Sequence, residues 1–269
     1  GAEVTSNAVI YVDNIKHSFE SNLLIPDNFF LIPEFINVLE QLEVETFEIL
    51  IIDDGSTDDT QEVVSLFDSS SVKLIQRNSK PSLPMSIWDG IEDSNLNYVM
   101  WLDADGSMSA NDAGVLIEKQ KENLNAVIVG SRFVEGGGYK GTLLNQKNKL
   151  YNSLKNLRNS EDSFTAMYLS LIFNKFLSLI STNSVKDMTS GFIIGKKEYF
   201  SIIPFKKAFY GDYFVYLINE LNHKNIKIIE VGYQCGLRMH GMSKTGSSLV
   251  GLVRLGRPYI KAALKSRRS

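Results

Sequence analysis

The run Glu48-Ile-Leu-Ile-Ile-Asp53-Asp54-Gly55-Ser56-Thr57-Asp58 decides how this chain folds. Four apolar residues follow one another without polar alternation, which reads as a strand covered on both faces. Two carboxylates end the strand. Gly55 supplies a turn, and Ser56 or Thr57 is expected to cap a helix over 58–67 with an acidic first turn. In an open α/β sheet, ligands bind in the crevice beyond the carboxyl ends of the strands. Asp53 and Asp54 are therefore expected where a ligand's N–H or O–H groups would meet them, although a plain turn and helix cap needs the same residue types.

The pattern repeats on either side of this unit. Strands are expected at 8–12, 23–25, 47–52, 72–76, 98–102 and 126–130, alternating with helices at 33–42, 58–67, 84–93 and 111–123. That alternation predicts an α/β protein with a mostly parallel central sheet and helices on both faces. The second half is less regular. A polar helix is expected at 143–159, an apolar helix at 164–180, and strands at 192–195 and 226–231 around a helix at 212–221. From residue 247 the chain reads as a basic amphipathic helix interrupted by Pro258.

Composition limits the alternatives. At 269 residues, with 43% apolar and 22% charged side chains, the chain suits one large globular domain. The single cysteine, Cys235, cannot form an internal disulfide, so nothing demands an oxidising compartment, and it reads as a small buried hydrophobe. Three scattered histidines, His17, His223 and His240, argue against a histidine-built zinc site. Neither a secretory signal nor an apolar run of about 20 residues is visible, which predicts a cytoplasmic protein, peripheral if it meets a membrane.

The net charge of −3 hides an asymmetry. No acidic residue follows Glu230, while Arg238, Lys244, Arg254, Arg257, Lys261, Lys265, Arg267 and Arg268 add eight positive charges, leaving 20 basic against 31 acidic residues elsewhere, a net of −11. An acidic body of this kind excludes a general nucleic-acid binder. The basic tail calls for an anionic partner such as a phosphate ligand or the cytoplasmic face of a membrane. Its apolar side would equally serve as a core contact or as a subunit contact in a homo-oligomer.

A second acidic strand end, Tyr98-Val-Met-Trp-Leu-Asp103-Ala104-Asp105-Gly106, lies about fifty residues after the first. Two carboxylates one residue apart can turn toward one hard cation, with diphosphate and water completing the shell. Together the two motifs resemble the family 2 glycosyltransferases of the GT-A fold, and the rest of the chain is similar to dolichol-phosphate mannose synthase and bacterial polyprenyl-phosphate glycosyltransferases. Five blocks carry the resemblance in order: IIDDGSTDDT (51–60), WLDADGS (101–107), VGSRFVEGGG (129–138), DMTSGF (187–192) and RMHGMSK (238–244). They span roughly residues 22 to 245, which sets the expected catalytic domain at 1–245 and the tail at 246–269.

The resemblance implies an inverting transfer of a sugar from a GDP- or UDP-sugar to a polyprenyl phosphate. It places Asp54 on the nucleotide base with Asp53 beside it, and Asp103, Ala104 and Asp105 at the sugar nucleotide. Mg²⁺ or Mn²⁺ would sit at Asp103 and Asp105, with Asp105 the direct ligand. Arg132, Arg238 and Lys244 match basic positions that hold phosphates, a role suited to a forked guanidinium and a compact ammonium. Gly191 would let backbone approach the sugar, with Ser190 or Asp187 on its hydroxyls. Were the acceptor a saccharide or glycolipid hydroxyl, a base would be required, and Asp187 is one candidate. A non-catalytic nucleotide-sugar binder is the other alternative; a dinucleotide-binding oxidoreductase lacks its GxGxxG after the first strand.

The chain departs from the family pattern at its start. Pro26 fits the usual base-holding segment, but Phe30 stands where a glutamate is expected. The expected strand at 8–12 has no family counterpart and reads as an extra strand or edge hairpin. Ser107 replaces a glutamine near the metal, and the stretch 80–84 replaces a glycine-rich segment.

Overall fold

A computed structural model of the chain describes residues 8–12, 31–56, 60–67, 71–103, 105–139, 161–181, 185–236 and 249–266. The expected strand at 23–25, the helix at 143–159, and Pro26, Ala104, Arg238 and Lys244 lie outside the described residues.

The acidic strand ends belong to a twisted sheet built from two hydrogen-bonded parts. Strands β1 (Ala8–Val12), β2 (Ile49–Asp53) and β3 (Val72–Gln76) pair in parallel, with Asp53 opposite Gln76. Strands β4 (Tyr98–Trp101), β5 (Ala126–Ser131), β7 (Ile193–Lys196) and β8 (Lys227–Gly232) run in the order β4-β7-β5-β8. β1 lies alongside β4 and joins the two parts. Ala8–Val12 is thus the extra strand of the two alternatives the sequence offers, and it is an inner strand, not part of an edge hairpin. β7 is antiparallel to both β4 and β5, so the sheet is mixed at this point. A short parallel pair, β6 (Gly138–Tyr139) and β9 (Gln234–Cys235), stands beside it.

Alternation within the apolar runs builds two cores from one sheet. Ile49 and Ile51 enter one cluster with Met100, Ala126 and Ile128, while Leu50 and Ile52 enter the other with Val99, Trp101, Val127 and Val129. This is the period-two geometry of a strand buried on both sides. Each such side chain contributes about 1.5–3 kcal/mol by leaving water. Helices α1 (Leu31–Gln41) and α4 (Ala110–Glu122) cover the first face. Helices α3 (Leu83–Asp93), α5 (Glu161–Ser181), α6 (Ile202–Lys207), α7 (Tyr213–His223) and α8 (Leu249–Ser266) serve the second.

Local chemistry sets the helix starts. Ser109 caps α4 by accepting the Asp112 N–H at 3.2 Å. Pro84 sits in the first turn of α3, where its missing N–H costs nothing. The helix expected at 58–67 is described as α2 (Thr60–Ser65) and ends two residues early, while 57–59 lie outside the described residues; Asp53 accepts the Ser56 N–H.

The tail helix corrects one expectation and meets another. α8 runs through Pro258 without interruption, and its apolar side makes the core contact that was one of the alternatives. Ala262 and Ala263 are fully buried, and Tyr259 packs edge-on against Phe173 of α5. Those contacts hold the helix across the hydrogen bond that proline cannot make. Among the described residues, no helix is long and apolar enough to cross a membrane.

Candidate active site

β2 delivers Asp53 and Asp54 to the sheet edge, and both are buried. Asp53 works locally: its Oδ1 accepts the Ser56 N–H at 2.7 Å, and Gln61 reaches Oδ2 at 3.4 Å. Asp54 is paired with Arg77, the residue that follows β3, and also accepts the Ser82 N–H. The same guanidinium donates to Asp89 at 2.6 Å and Ser86 at 3.0 Å. Asp54 is therefore one end of an ion-pair chain that reaches the surface through the partly exposed Asp89. Sequence reading missed Arg77 and Asp89. The available signal was an arginine placed directly after an expected strand at 72–76, at the edge where ligands bind.

β4 brings Asp103 and Asp105 to this edge, both half-buried. The Asp105 Oδ1 accepts the Ser107 N–H at 3.0 Å, which ties that carboxylate to its own turn. Ser107 in turn accepts the Gly236 N–H at 2.8 Å through its carbonyl. The strand β9 thus ends against the acidic turn, two residues ahead of Arg238 in sequence.

β5 and β7 supply the third component. Because β7 runs antiparallel, its N-terminal end lies at the same edge as the C-terminal ends of β4 and β5. Asp187 is fully buried and takes a forked pair of bonds from Arg132, Nε at 2.8 Å and Nη2 at 2.7 Å, with the Arg132 N–H at 3.0 Å. Thr189 and Tyr139 accept further bonds from the guanidinium. Burial alone would depress the Arg132 pKa, but the Asp187 charge and hydrogen bonds outweigh it and raise it well above the ordinary value.

These groups share one electrostatic space. The Cys235 thiol is pushed up by burial, and it also feels Arg132, Asp105 and Asp187. Burial raises the pKa of the Tyr213 hydroxyl, and Asp103 adds to the rise. Trp101 donates its indole N–H to that hydroxyl at 3.1 Å. Gly191, at φ +71°, lies where an added Cβ would come within 3.3 Å of it.

Two expectations change with this geometry. The Ser190 hydroxyl donates to the Gly130 carbonyl and accepts the Phe192 N–H, stitching β5 to β7 and leaving its hydrogen unavailable to a sugar. Asp187 is committed to Arg132 and shielded from solvent, which makes it an anchor for the guanidinium and a poor general base. Asp103 and Asp105 fit a hard divalent cation by donor type. Among the described residues, no group of three or more His, Cys, Asp or Glu side chains could hold a metal ion. A cation here would take its remaining ligands from a diphosphate and water.

Residues 31–201 match the family model described as Glycosyl transferase family 2. The chain belongs to that family. Its curated relatives include proteins named dolichyl-phosphate beta-glucosyltransferase. ALG5D of Trichomonas vaginalis is 26% identical over 193 residues, covering 68% of this chain and 52% of that protein. The Dictyostelium discoideum relative is 26% identical over 131 residues, covering 46% and 40%. The chain spans about half the length of the curated relatives it matches.

Solved structures of this glycosyltransferase family member's fold include two ligand complexes. Glucosyl-3-phosphoglycerate synthase from Mycobacterium tuberculosis, with Mg²⁺ and uridine diphosphate, superposes at TM-score 0.57 with 14% identity, over 97% of this chain and 79% of that one. The mannosyltransferase PcManGT from Pyrobaculum calidifontis, with GDP-Man and Mn²⁺, superposes at TM-score 0.56 with 10% identity, over 100% and 66%. At these identities the likeness shows the GT-A fold.

Proposed function

We propose that the chain transfers a glucosyl group from a nucleoside-diphosphate glucose, of the UDP type, to a polyprenyl phosphate, with inversion at the anomeric carbon. The observation that carries this reading is the convergence on one sheet edge of Asp53–Asp54, Asp103–Asp105 and the Arg132–Asp187 pair. The names of the family relatives support the sugar and the lipid phosphate, and the uridine diphosphate of one fold neighbour supports the base.

In this reading Asp54, its carboxylate taken by Arg77 and the Ser82 N–H, fixes the wall against which the base and ribose lie, and Asp53 shapes the turn beneath them. Asp103, Ala104 and Asp105 meet the diphosphate and the sugar. Asp103 and Asp105 would hold Mg²⁺ or Mn²⁺, which would offset the charge gathering on the leaving diphosphate. Arg132, fixed by Asp187, presents its guanidinium toward phosphate oxygens; Arg238 and Lys244 are assigned the same role from the motif alone. Each well-aimed donor of this kind is worth about 3–4 kcal/mol at the transition state.

An acceptor phosphate oxygen forms the bond to the anomeric carbon as the bond to the diphosphate breaks. The bonding pair leaves with the diphosphate. A phosphate monoester, with its second pKa near about 6, is already anionic at neutral pH, so no base need remove a proton. A phosphate acceptor is favoured over a hydroxyl on this ground, since Asp187, one candidate for the base that a hydroxyl would need, is buried against Arg132.

The test is transfer of labelled glucose from UDP-glucose to a short-chain polyprenyl phosphate, with polyprenol and free saccharides as controls. Label on the phosphate alone is expected. Label on the alcohol or saccharide would favour the hydroxyl-acceptor reading instead.

A further inference from the structure

A second feature stands apart from the donor site. Between α6, the turn that follows it, α7 and α8 lies a cavity of about 370 Å³ walled by Lys207, Phe209, Tyr216, Arg257, Lys261 and Lys265. The four cations are exposed, and none forms a salt bridge among the described residues. The acid in the wall, Asp212, is buried and turned into its own loop, where it accepts the N–H groups of Phe209 at 3.0 Å and Tyr210 at 2.7 Å.

The arrangement follows from α8. Arg257, Lys261 and Lys265 recur every four residues along one face. The opposing Tyr259, Ala262 and Ala263 pack into the core, so this part of the helix turns its charged face outward. Apolar side chains instead rim the charges: Phe209 is 79% exposed, Leu264 51% and Ile203 50%. Cations around a hollow, bordered by an aromatic ring and two aliphatic chains, match the phosphate level and upper acyl region of a membrane leaflet.

We propose that this face docks the protein on an anionic phospholipid bilayer, with headgroup phosphates entering the cavity among Lys207, Arg257, Lys261 and Lys265. The proposal rests on the reading that the acceptor is a lipid phosphate, and it names the surface that meets the lipid. α8 ties the two regions together, since Tyr259 on its inner side lies within electrostatic reach of Asp103 and Arg132.

The test is co-sedimentation of the full chain with vesicles of phosphatidylcholine alone and of phosphatidylcholine mixed with phosphatidylglycerol. Binding is expected to the anionic vesicles and to weaken with added salt. Lys261→Gln with Lys265→Gln should reduce it about 25-fold, at about fivefold per charge. The same variant should keep wild-type transfer to a short-chain polyprenyl phosphate in detergent. Equal binding to both vesicle types, or wild-type binding by the double variant, overturns the surface. Charge-dependent binding without any transfer would keep the surface and remove the function assigned above. A Phe209→Ser variant gives a second check, since a purely ionic contact would leave its binding unchanged.

Discussion

Replacing Asp187 by Asn keeps the shape of the side chain and removes its charge, which isolates the role of the Arg132 pair. Asp187 is fully buried, and the Arg132 side chain is only 14% exposed, so water can do little to screen the guanidinium once its partner is neutral. Breaking such a pair costs about 3–5 kcal/mol, and the residual exposure of Arg132 favours the lower end. At about 2–4 °C per kcal/mol for a chain near this size, a loss of about 3 kcal/mol lowers Tm by about 6–12 °C. The assay is thermal unfolding followed by tryptophan emission, run beside the transfer assay. The double change Arg132→Met with Asp187→Leu should recover much of the lost Tm, because an apolar pair removes the buried charge altogether. An Asp187→Asn protein that melts within about 2 °C of wild type yet transfers no sugar would refute the reasoning. It would make Asp187 a group acting on the substrate and not an anchor.

Two further changes probe other parts of the site. Arg77→Met strands the buried Asp54 carboxylate and should cost about 3 kcal/mol in urea denaturation, with Asp54→Asn added on top restoring part of it; an unchanged midpoint would show that the pair does not hold the sheet edge. Gly191→Ala forces a side chain into the left-handed region and toward the Tyr213 hydroxyl, at about 1–2 kcal/mol. Because Tyr213 accepts the Trp101 indole N–H, the change should also shift tryptophan emission. A spectrum identical to wild type would mean that Tyr213 has not moved.

Much of the fold was legible because its strands are continuous apolar runs. Ile49–Asp53, Tyr98–Trp101 and Ala126–Ser131 could be read as buried on both faces, and the two clusters divide their residues as that pattern requires. The acidic strand ends were legible for the same reason, since each directly follows such a run. What sequence could not convey is pairing at a distance. Arg132 and Asp187 are 55 residues apart, and nothing local to either says that one neutralises the other. Arg77 is a lone arginine after a strand, with no motif around it. Ala8–Val12 was legible as a strand, but its inner place in the sheet depends on pairing with Ile49–Asp53 and not on its own residues. Pro258 was read as a break because its local cost is visible in sequence, while the buried alanines that hold the helix together become apparent only in three dimensions.

The central claim is that one sheet edge forms a site for a nucleoside-diphosphate sugar with a divalent cation at Asp103 and Asp105. Isothermal titration of UDP-glucose into the wild type and an Asp105→Asn variant, each with Mg²⁺ or with EDTA, tests it most directly. The account predicts binding by the wild type that weakens when the metal is removed, and that is weak in the variant under both conditions although its Tm is unchanged. Equal affinity in all four titrations, or no binding of the sugar nucleotide by folded wild-type protein, would contradict it.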